Sequence, residues 1–145
     1  MFQRWTLLSF SVALIPALLG CGSSDGPPLG EVKGRVTLDG KPLSGAVLTF
    51  ISQSAKGSPS YGGTDNDGRY SLMFTSSKSG AMVGDHLVEI ETTKVSAAEA
   101  KELVAQGLPA PAPYVAIPKK YRKAGALVAK VAAGSNTIDF ELTTK

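Results

Sequence analysis

The sequence predicts an all-β protein, an antiparallel, seven-stranded β-sandwich carrying one short inserted helix. Three observations predict it. Apolar residues recur with a period of two in seven short segments, the spacing that sends alternate side chains to opposite faces of a strand. Turn signals separate those segments, drawn from 16 glycines and 9 prolines. Of 145 residues, 43% are hydrophobic and 19% charged, which suits one ordinary core and excludes a disordered chain.

The elements follow in chain order. Val32, Gly34, Val36 and Leu38 share one face of the first strand, with Lys33, Arg35 and Thr37 on the other. Asp39-Gly40 is a turn dipeptide, because glycine takes positive φ without a Cβ clash. Ala46, Leu48 and Phe50 alternate as a second strand, and Ser60 to Thr64 form a third after a Gly/Ser/Pro loop. Tyr70, Leu72 and Phe74 give the fourth inward row. Gly84 to about Thr92 is the fifth strand, with His86, Val88 and Ile90 on one face and Asp85, Glu89 and Glu91 on the other. Leu127, Ala129 and Val131 form the sixth row, and Ile138, Phe140 and Leu142 the last.

One stretch breaks the alternation. Ser96-Ala-Ala-Glu99 reads as a capping box, and Ala97, Ala100, Leu103 and Val104 then lie on one helical face. Gly107 is a natural stop, so a helix is expected over about 96–107. The prolines from Leu108 to Pro113 favour extended chain. Residues Val95 to Ala116 therefore read as an inserted helix and loop, a connection rather than a recognition arm, since only an apolar face offers binding chemistry.

The first residues point to export. Met1 to Arg4 carry one positive charge, and Trp5 to Leu19 are free of charge but too short for a membrane-spanning helix. A charged start, a short apolar core and small residues after it describe a secretory signal peptide over residues 1–20. Leu18-Leu19-Gly20-Cys21 resembles the lipobox of bacterial lipoproteins. That resemblance implies cleavage between Gly20 and Cys21, with a diacylglycerol thioether on Cys21 and acylation of the new amine. Cys21 is the sole cysteine, so no intramolecular disulfide can form. Two or three acyl chains would anchor the protein stably. Gly22 stands where aspartate often marks inner-membrane retention, which favours the outer membrane. Residues 21–30 read as a lipidated flexible tether and residues 31–145 as the sandwich domain.

Chemistry is sparse. Asp65-Asn66-Asp67-Gly68 could be a metal loop or a carboxylate pair. It supplies two hard ligands at most, however, and both acids sit on one tight turn, so a strand-to-strand bend accounts for it. His86 is the only histidine, which excludes zinc sites built on two or three histidines. No Gly-x-Ser-x-Gly elbow supports a serine triad around it, and its phase with Val88 and Ile90 makes it a packing ring. Lys119-Lys120-Tyr121-Arg122-Lys123 reads as a solvated edge rather than a nucleic-acid site. No catalytic residue, cofactor or metal is expected.

Four motifs occur in sequence: Val32-x-Gly34-x-Val36, then Asp39-Gly40-Lys41-Pro42-Leu43-x-Gly45-Ala46, then Thr64-Asp65-x-Asp67-Gly68-x-Tyr70-x-Leu72, then Gly84-x-His86-x-Val88-x-Ile90. Together they resemble the carboxypeptidase regulatory-like domain, a transthyretin-like (prealbumin-like) β-sandwich of exported bacterial proteins. The resemblance covers Val32 to about Ile90, with weaker support from Gly134-x-Asn136 and Phe140-x-Leu142. It implies a fold and an accessory role, with no peptidase activity. Hydroxyisourate hydrolases of this fold use several histidines, which this chain lacks. Related pilin domains carry a Lys–Asn isopeptide bond; Lys33 and Asn136 are on the first and last strands, but Lys33 is out of phase with the inward row. The expected function is a non-enzymatic, lipid-anchored envelope module with a structural or binding role. Its partners would be the membrane through Cys21 and an envelope protein or glycan. The alternative is a carbohydrate- or small-ligand-binding surface module using Tyr61, Tyr114 and Tyr121.

Overall fold

The computed structural model describes residues 26–145. The signal segment 1–20, the Gly20–Cys21 cleavage site with its lipidated cysteine, and tether residues 22–25 lie outside them. Each of the seven expected segments is a strand, yet the described chain has ten strands. The chain order is β1 (Leu29–Leu38), β2 (Lys41–Pro42), β3 (Ala46–Ser52), β4 (Ser60–Gly63), β5 (Arg69–Ser71), β6 (Ala81–Met82) and β7 (Gly84–Thr92). After these come α1 (Ala97–Ala105), β8 (Leu127–Val131), β9 (Gly134–Thr137) and β10 (Phe140–Leu142). Two two-residue strands, β2 and β6, are too short for any periodicity to announce. The last expected strand, Ile138 to Leu142, is shortened to β10, and a further strand, β9, precedes it across a break at Ile138–Asp139.

One sheet is organised around β1. Along one edge β1 pairs antiparallel with β6, β5 and β2 in turn, and along the other it pairs parallel with β9 and then β10. The sandwich is predominantly antiparallel, as expected, and the parallel pairing of β9 and β10 with β1 is the exception. The chain leaves β8 in the second sheet, crosses to the first, and then runs beside β1 in the same direction. The second sheet is antiparallel throughout, in the order β4-β3-β7-β8. The strand pattern also reaches further back than expected. Leu29 and Gly30, read as tether, pair with Met82 and Ala81, and the Pro28 carbonyl accepts a hydrogen bond from Val83.

The inward faces form one core. Val32, Val36, Leu72, Phe140 and Leu142 meet Leu48, Phe50, Val88 and Ile90, all nearly solvent-free. Phe50 is its centre: the rings of Tyr70, His86 and Phe140 lie 6.4, 5.9 and 6.1 Å from it, within the range for favourable aromatic contacts. Phe74 is only half-buried, because the strand pattern ends at Ser71.

Turn chemistry fits its residues. Asp39 and Gly40 both take positive φ, 50° and 78°, as a two-residue type I′ hairpin requires. Thr144 donates to both carboxylate oxygens of Asp39, at 2.9 Å from its backbone N–H and 2.7 Å from its hydroxyl. Those bonds hold the Asp39 carboxyl below its ordinary range and tie the hairpin to the C-terminus.

The inserted helix forms where expected. Ser96 Oγ accepts from the Glu99 N–H at 3.2 Å, which is one half of the capping box. At the other end the Leu108 N–H reaches Leu103 O and the Gly107 N–H reaches Val104 O, with Gly107 at φ 80°, the Schellman arrangement. No residue of α1 is buried. The insert is held instead by Ile117, which enters the core, and by the Thr92 hydroxyl donating to Val115 O at 2.6 Å. Among the described residues no helix is long and apolar enough to cross a membrane.

The break at Ile138–Asp139 is the tightest point of the fold. The Ile138 N–H donates to Lys33 O at 2.8 Å, while the next ladder position is taken by a side chain, Asp139 Oδ1 accepting from the Arg35 N–H at 2.7 Å. The Ile138 carbonyl turns over Gly34, where a Cβ would collide with it, and accepts the Tyr70 hydroxyl at 2.7 Å. Burial, and then the nearby Asp139, raise the Tyr70 pKa, so the hydroxyl stays protonated as a donor. Tyr70→Phe removes that donor from a buried acceptor and is expected to cost about 1–3 kcal/mol, read as a lower denaturant midpoint. Gly34→Ala is expected to cost more, since two backbones must separate. A Gly34→Ala protein as stable as the parent would contradict this packing.

Candidate functional site

The Asp65 turn is spent on itself. Asp65 Oδ1 accepts from the backbone N–H of Asp67 at 2.9 Å and of Arg69 at 2.8 Å, and the Gly68 N–H closes on Asp65 O at 3.0 Å. Gly68 adopts φ 74° and passes beside the β1 backbone, its carbonyl accepting from the Val36 N–H at 2.8 Å. The loop is the bend between β4 and β5, with the carboxylate satisfying local donors rather than presenting oxygens to an ion. No group of three or more potential metal ligands occurs among the described residues.

His86 is a packing ring. It is 1% exposed, stacks at a tilt against Phe50, and its Nδ1 lies 3.2 Å from Gly84 O. Its cross-strand partner is Ser52, whose hydroxyl pairs with Ser54 at 3.1 Å rather than with the imidazole. Among the described residues His86 Nε2 and the buried Ser60 Oγ have no hydrogen-bond partner. Burial pushes the His86 pKa down, against a smaller opposing effect from Gly84 O.

Lys33 and Asn136 are separated in purpose. Lys33 points to solvent and pairs with Glu31 at 2.6 Å. Asn136 folds the turn ahead of β9, its Oδ1 accepting from the Ala132 N–H at 2.9 Å and its Nδ2 donating to Ala132 O at 2.8 Å. The amide is therefore committed to backbone and the amine to the Glu31 carboxylate.

A concavity lies where β7 outruns its neighbour. β8 pairs with β7 only from Gly84 to Val88, whereas β3 follows β7 to Thr92. The Gln53 N–H donates to Asp85 O at 2.9 Å, so odd-numbered residues of β7 turn their backbone groups toward β3. By the alternation of a strand, Ile90 and Thr92 present theirs toward the side that β8 has left. Neither has a backbone partner there among the described residues. The space is a cleft of about 380 Å³, within the usual range of ligand sites. Glu89, Glu91 and Thr93 line the β7 side, while Tyr114, Ile117, Tyr121 and Arg122 line the other.

The electrostatics of the two walls differ. Glu89 and Glu91 are exposed and take no part in an ion pair, the Glu31–Lys33 pair being the one formed among the described residues. Arg122 is oriented by its Nε, which donates to Ile117 O at 2.8 Å. Tyr121 Oη accepts from the Thr143 N–H at 3.1 Å and lies 3.4 Å from the Thr143 hydroxyl. These bonds lower the Tyr121 pKa. Lys120 Nζ sits 5.1 Å from the Tyr121 ring centroid and donates to the Thr143 hydroxyl and to Lys145 O.

Of the three tyrosines named from sequence, two meet here. Tyr61 is on β4, at the opposite edge of that sheet. Glu89 and Glu91 passed in the sequence as an ordinary solvated strand face, and Arg122 as one residue of a basic run. The cleft depends on where β8 stops pairing, which no local spacing encodes. Only the Ala124-Gly125 turn signal before Leu127 hints at it, and Gly125 does take φ 79°.

The chain matches no protein-family model, and no curated protein matches it. Among solved structures it is similar to a DUF3823 family protein from Parabacteroides merdae ATCC 43184, with a TM-score of 0.45 and 14% identity. That similarity covers 80% of this chain and 46% of the other, so the chain spans about half the length of the protein it matches.

The buried imidazole has a measurable signature. In the unfolded chain it titrates near its ordinary value of about 6.5, while the folded protein resists the proton. The unfolded state therefore binds more protons below that value, and stability is expected to fall as the pH drops from about 7 toward the lowered folded value. His86→Phe should remove this component while keeping the fold. Thermal melts from pH 7 downward, taken as the difference between parent and variant, check it, and parallel curves for the two proteins would contradict it.

Proposed function

We propose that the protein is a non-enzymatic, lipid-anchored module of the bacterial cell envelope with a binding or supporting role. The observation that carries this reading is Leu18-Leu19-Gly20-Cys21, with the only cysteine of the chain, directly after a charge-free run of signal-peptide length. Cleavage before Cys21 and lipidation of its thiol would leave residues 22–28 between the anchor and β1. Seven residues span at most about 25 Å, so the sandwich would sit close to the lipid surface. Gly22 after the cysteine supports the outer membrane over the inner. We read the sandwich itself as a carboxypeptidase regulatory-like, transthyretin-like domain. Support comes from the four ordered motifs and from the roles of their residues: Asp39-Gly40 and Asp65 to Gly68 make turns, while Val36, Leu48, Tyr70 and His86 make core.

A small-ligand or carbohydrate role is the second reading, favoured by Tyr114 and Tyr121 sharing one cleft. For a sugar the cleft is poorly furnished, because Tyr121 has its hydroxyl bonded to Thr143 and Lys120 beside its ring.

The anchor is tested through Cys21. The native protein is expected to partition into the detergent phase and to show, by mass spectrometry, acyl chains on a polypeptide beginning at Cys21. Cys21→Ser removes the thioether acceptor, so the variant is expected to keep residues 1–20 and run as a larger, unlipidated precursor. Native protein recovered free in the periplasm with an unmodified Cys21 thiol would overturn the proposal.

A further inference from the structure

The cleft beside β7 has the features of a vacant strand position rather than those of a pocket for a compact ligand. One wall is the backbone edge of Ile90 and Thr92, two residues whose N–H and C=O groups point the same way and lack partners there among the described residues. Unpaired edge groups are a template for an added strand. We infer that this edge binds an extended peptide segment of a partner protein as an added antiparallel strand, with a Lys or Arg side chain directed between Glu89 and Glu91. The inference rests on the binding role proposed above and does not depend on the lipid anchor.

Three observations identify the occupant. First, the geometry of an antiparallel ladder sets its register. Residues placed opposite Ile90 and Thr92 would exchange backbone hydrogen bonds with them, and the residue between would lie opposite Glu91 with Glu89 on its diagonal. A basic side chain there meets two exposed carboxylates that have no ion-pair partner among the described residues. Second, the same charges disfavour a second copy of this chain. Pairing β7 with β7 of another molecule in antiparallel fashion would set Glu89 and Glu91 against their counterparts, and like charges directly opposite are destabilising. Third, the far wall suits a strand's outer edge. The carbonyls that an added strand turns away from β7 would face the exposed Tyr114 and Arg122, whose Nε bonds Ile117 O while its other guanidinium N–H groups have no partner among the described residues. Ile117 provides an apolar floor beneath the residue opposite Ile90.

A pentapeptide tests the idea: acetyl-Thr-Val-Lys-Val-Thr-amide, fluorescently labelled and titrated by anisotropy against the full chain in non-ionic detergent. Saturable binding with Kd below about 1 mM is expected. N-methylation of either valine removes an edge donor and should weaken binding by about threefold to tenfold. Replacing the lysine by glutamate, or using the Glu89→Gln/Glu91→Gln protein with an unchanged melting curve, should also weaken it severalfold. Absence of binding overturns the inference, as does binding unaffected by N-methylation or by the double substitution. Chitotetraose binding to the cleft in place of the peptide would overturn it as well, in favour of a glycan. Because the measurement is made on purified protein, its failure leaves the Cys21 anchor to stand or fall on its own test.

Discussion

Where the last strand passes β1 it has to turn a carbonyl inward, and the fold is arranged to receive it. Gly34 contributes the space, because any side chain there would meet the Ile138 oxygen. Tyr70 contributes the donor, reaching across from β5 with a hydroxyl that burial keeps protonated. Asp139 then substitutes a side-chain oxygen for the missing ladder acceptor on Arg35. Three elements far apart in sequence are fixed by one oxygen atom. The ring of Tyr70 lies against Phe50 and Phe140, so the same contact sets the centre of the aromatic cluster on which both sheets close.

Much of the fold was legible because its turns and faces are written locally. Asp39-Gly40 needs positive φ at two adjacent positions, and Asp65 needs nearby N–H groups, and both requirements concern residues within four positions. The inward rows at Val32, Leu48, Val88 and Phe140 follow from period two alone. What was not legible depends on pairing between distant segments. The parallel run of β9 and β10 along β1, the two-residue strands β2 and β6, and the break at Ile138–Asp139 are properties of register. The helical face of Ala97, Ala100, Leu103 and Val104 was readable as amphipathic, yet it is not buried, since Ile117, directly after the insert, takes the place in the core.

The candidate site was legible only in fragments. Tyr114 and Tyr121 were visible as exposed aromatics, but their company was not, because Glu89 and Glu91 look like any outward pair on a half-buried strand. The difference between a solvated strand face and a binding edge is whether a neighbour covers the backbone beside it. That is decided by the end of β8 at Leu127, about 35 residues further on. His86 shows the opposite case. Its phase within the strand identified it as packing, and the buried ring against Phe50 agrees.

The position of β1 constrains the order in which the protein can fold. Its neighbours on one edge, β9 and β10, come from the last dozen residues of the chain, and contacts such as Asn136 to Glu31 span 105 positions. A strand made first thus waits for the one made last, and such non-local pairing is slow because a long loop must close before any contact rewards it. Until then β1 can pair with β2, β5 and β6 and the β4-β3-β7-β8 sheet can assemble, but the other edge of β1 stays open and the aromatic cluster still lacks Phe140. Closing the second edge of β1 is thereby left as the final step of folding, and the core cannot be completed until β9 and β10 have docked.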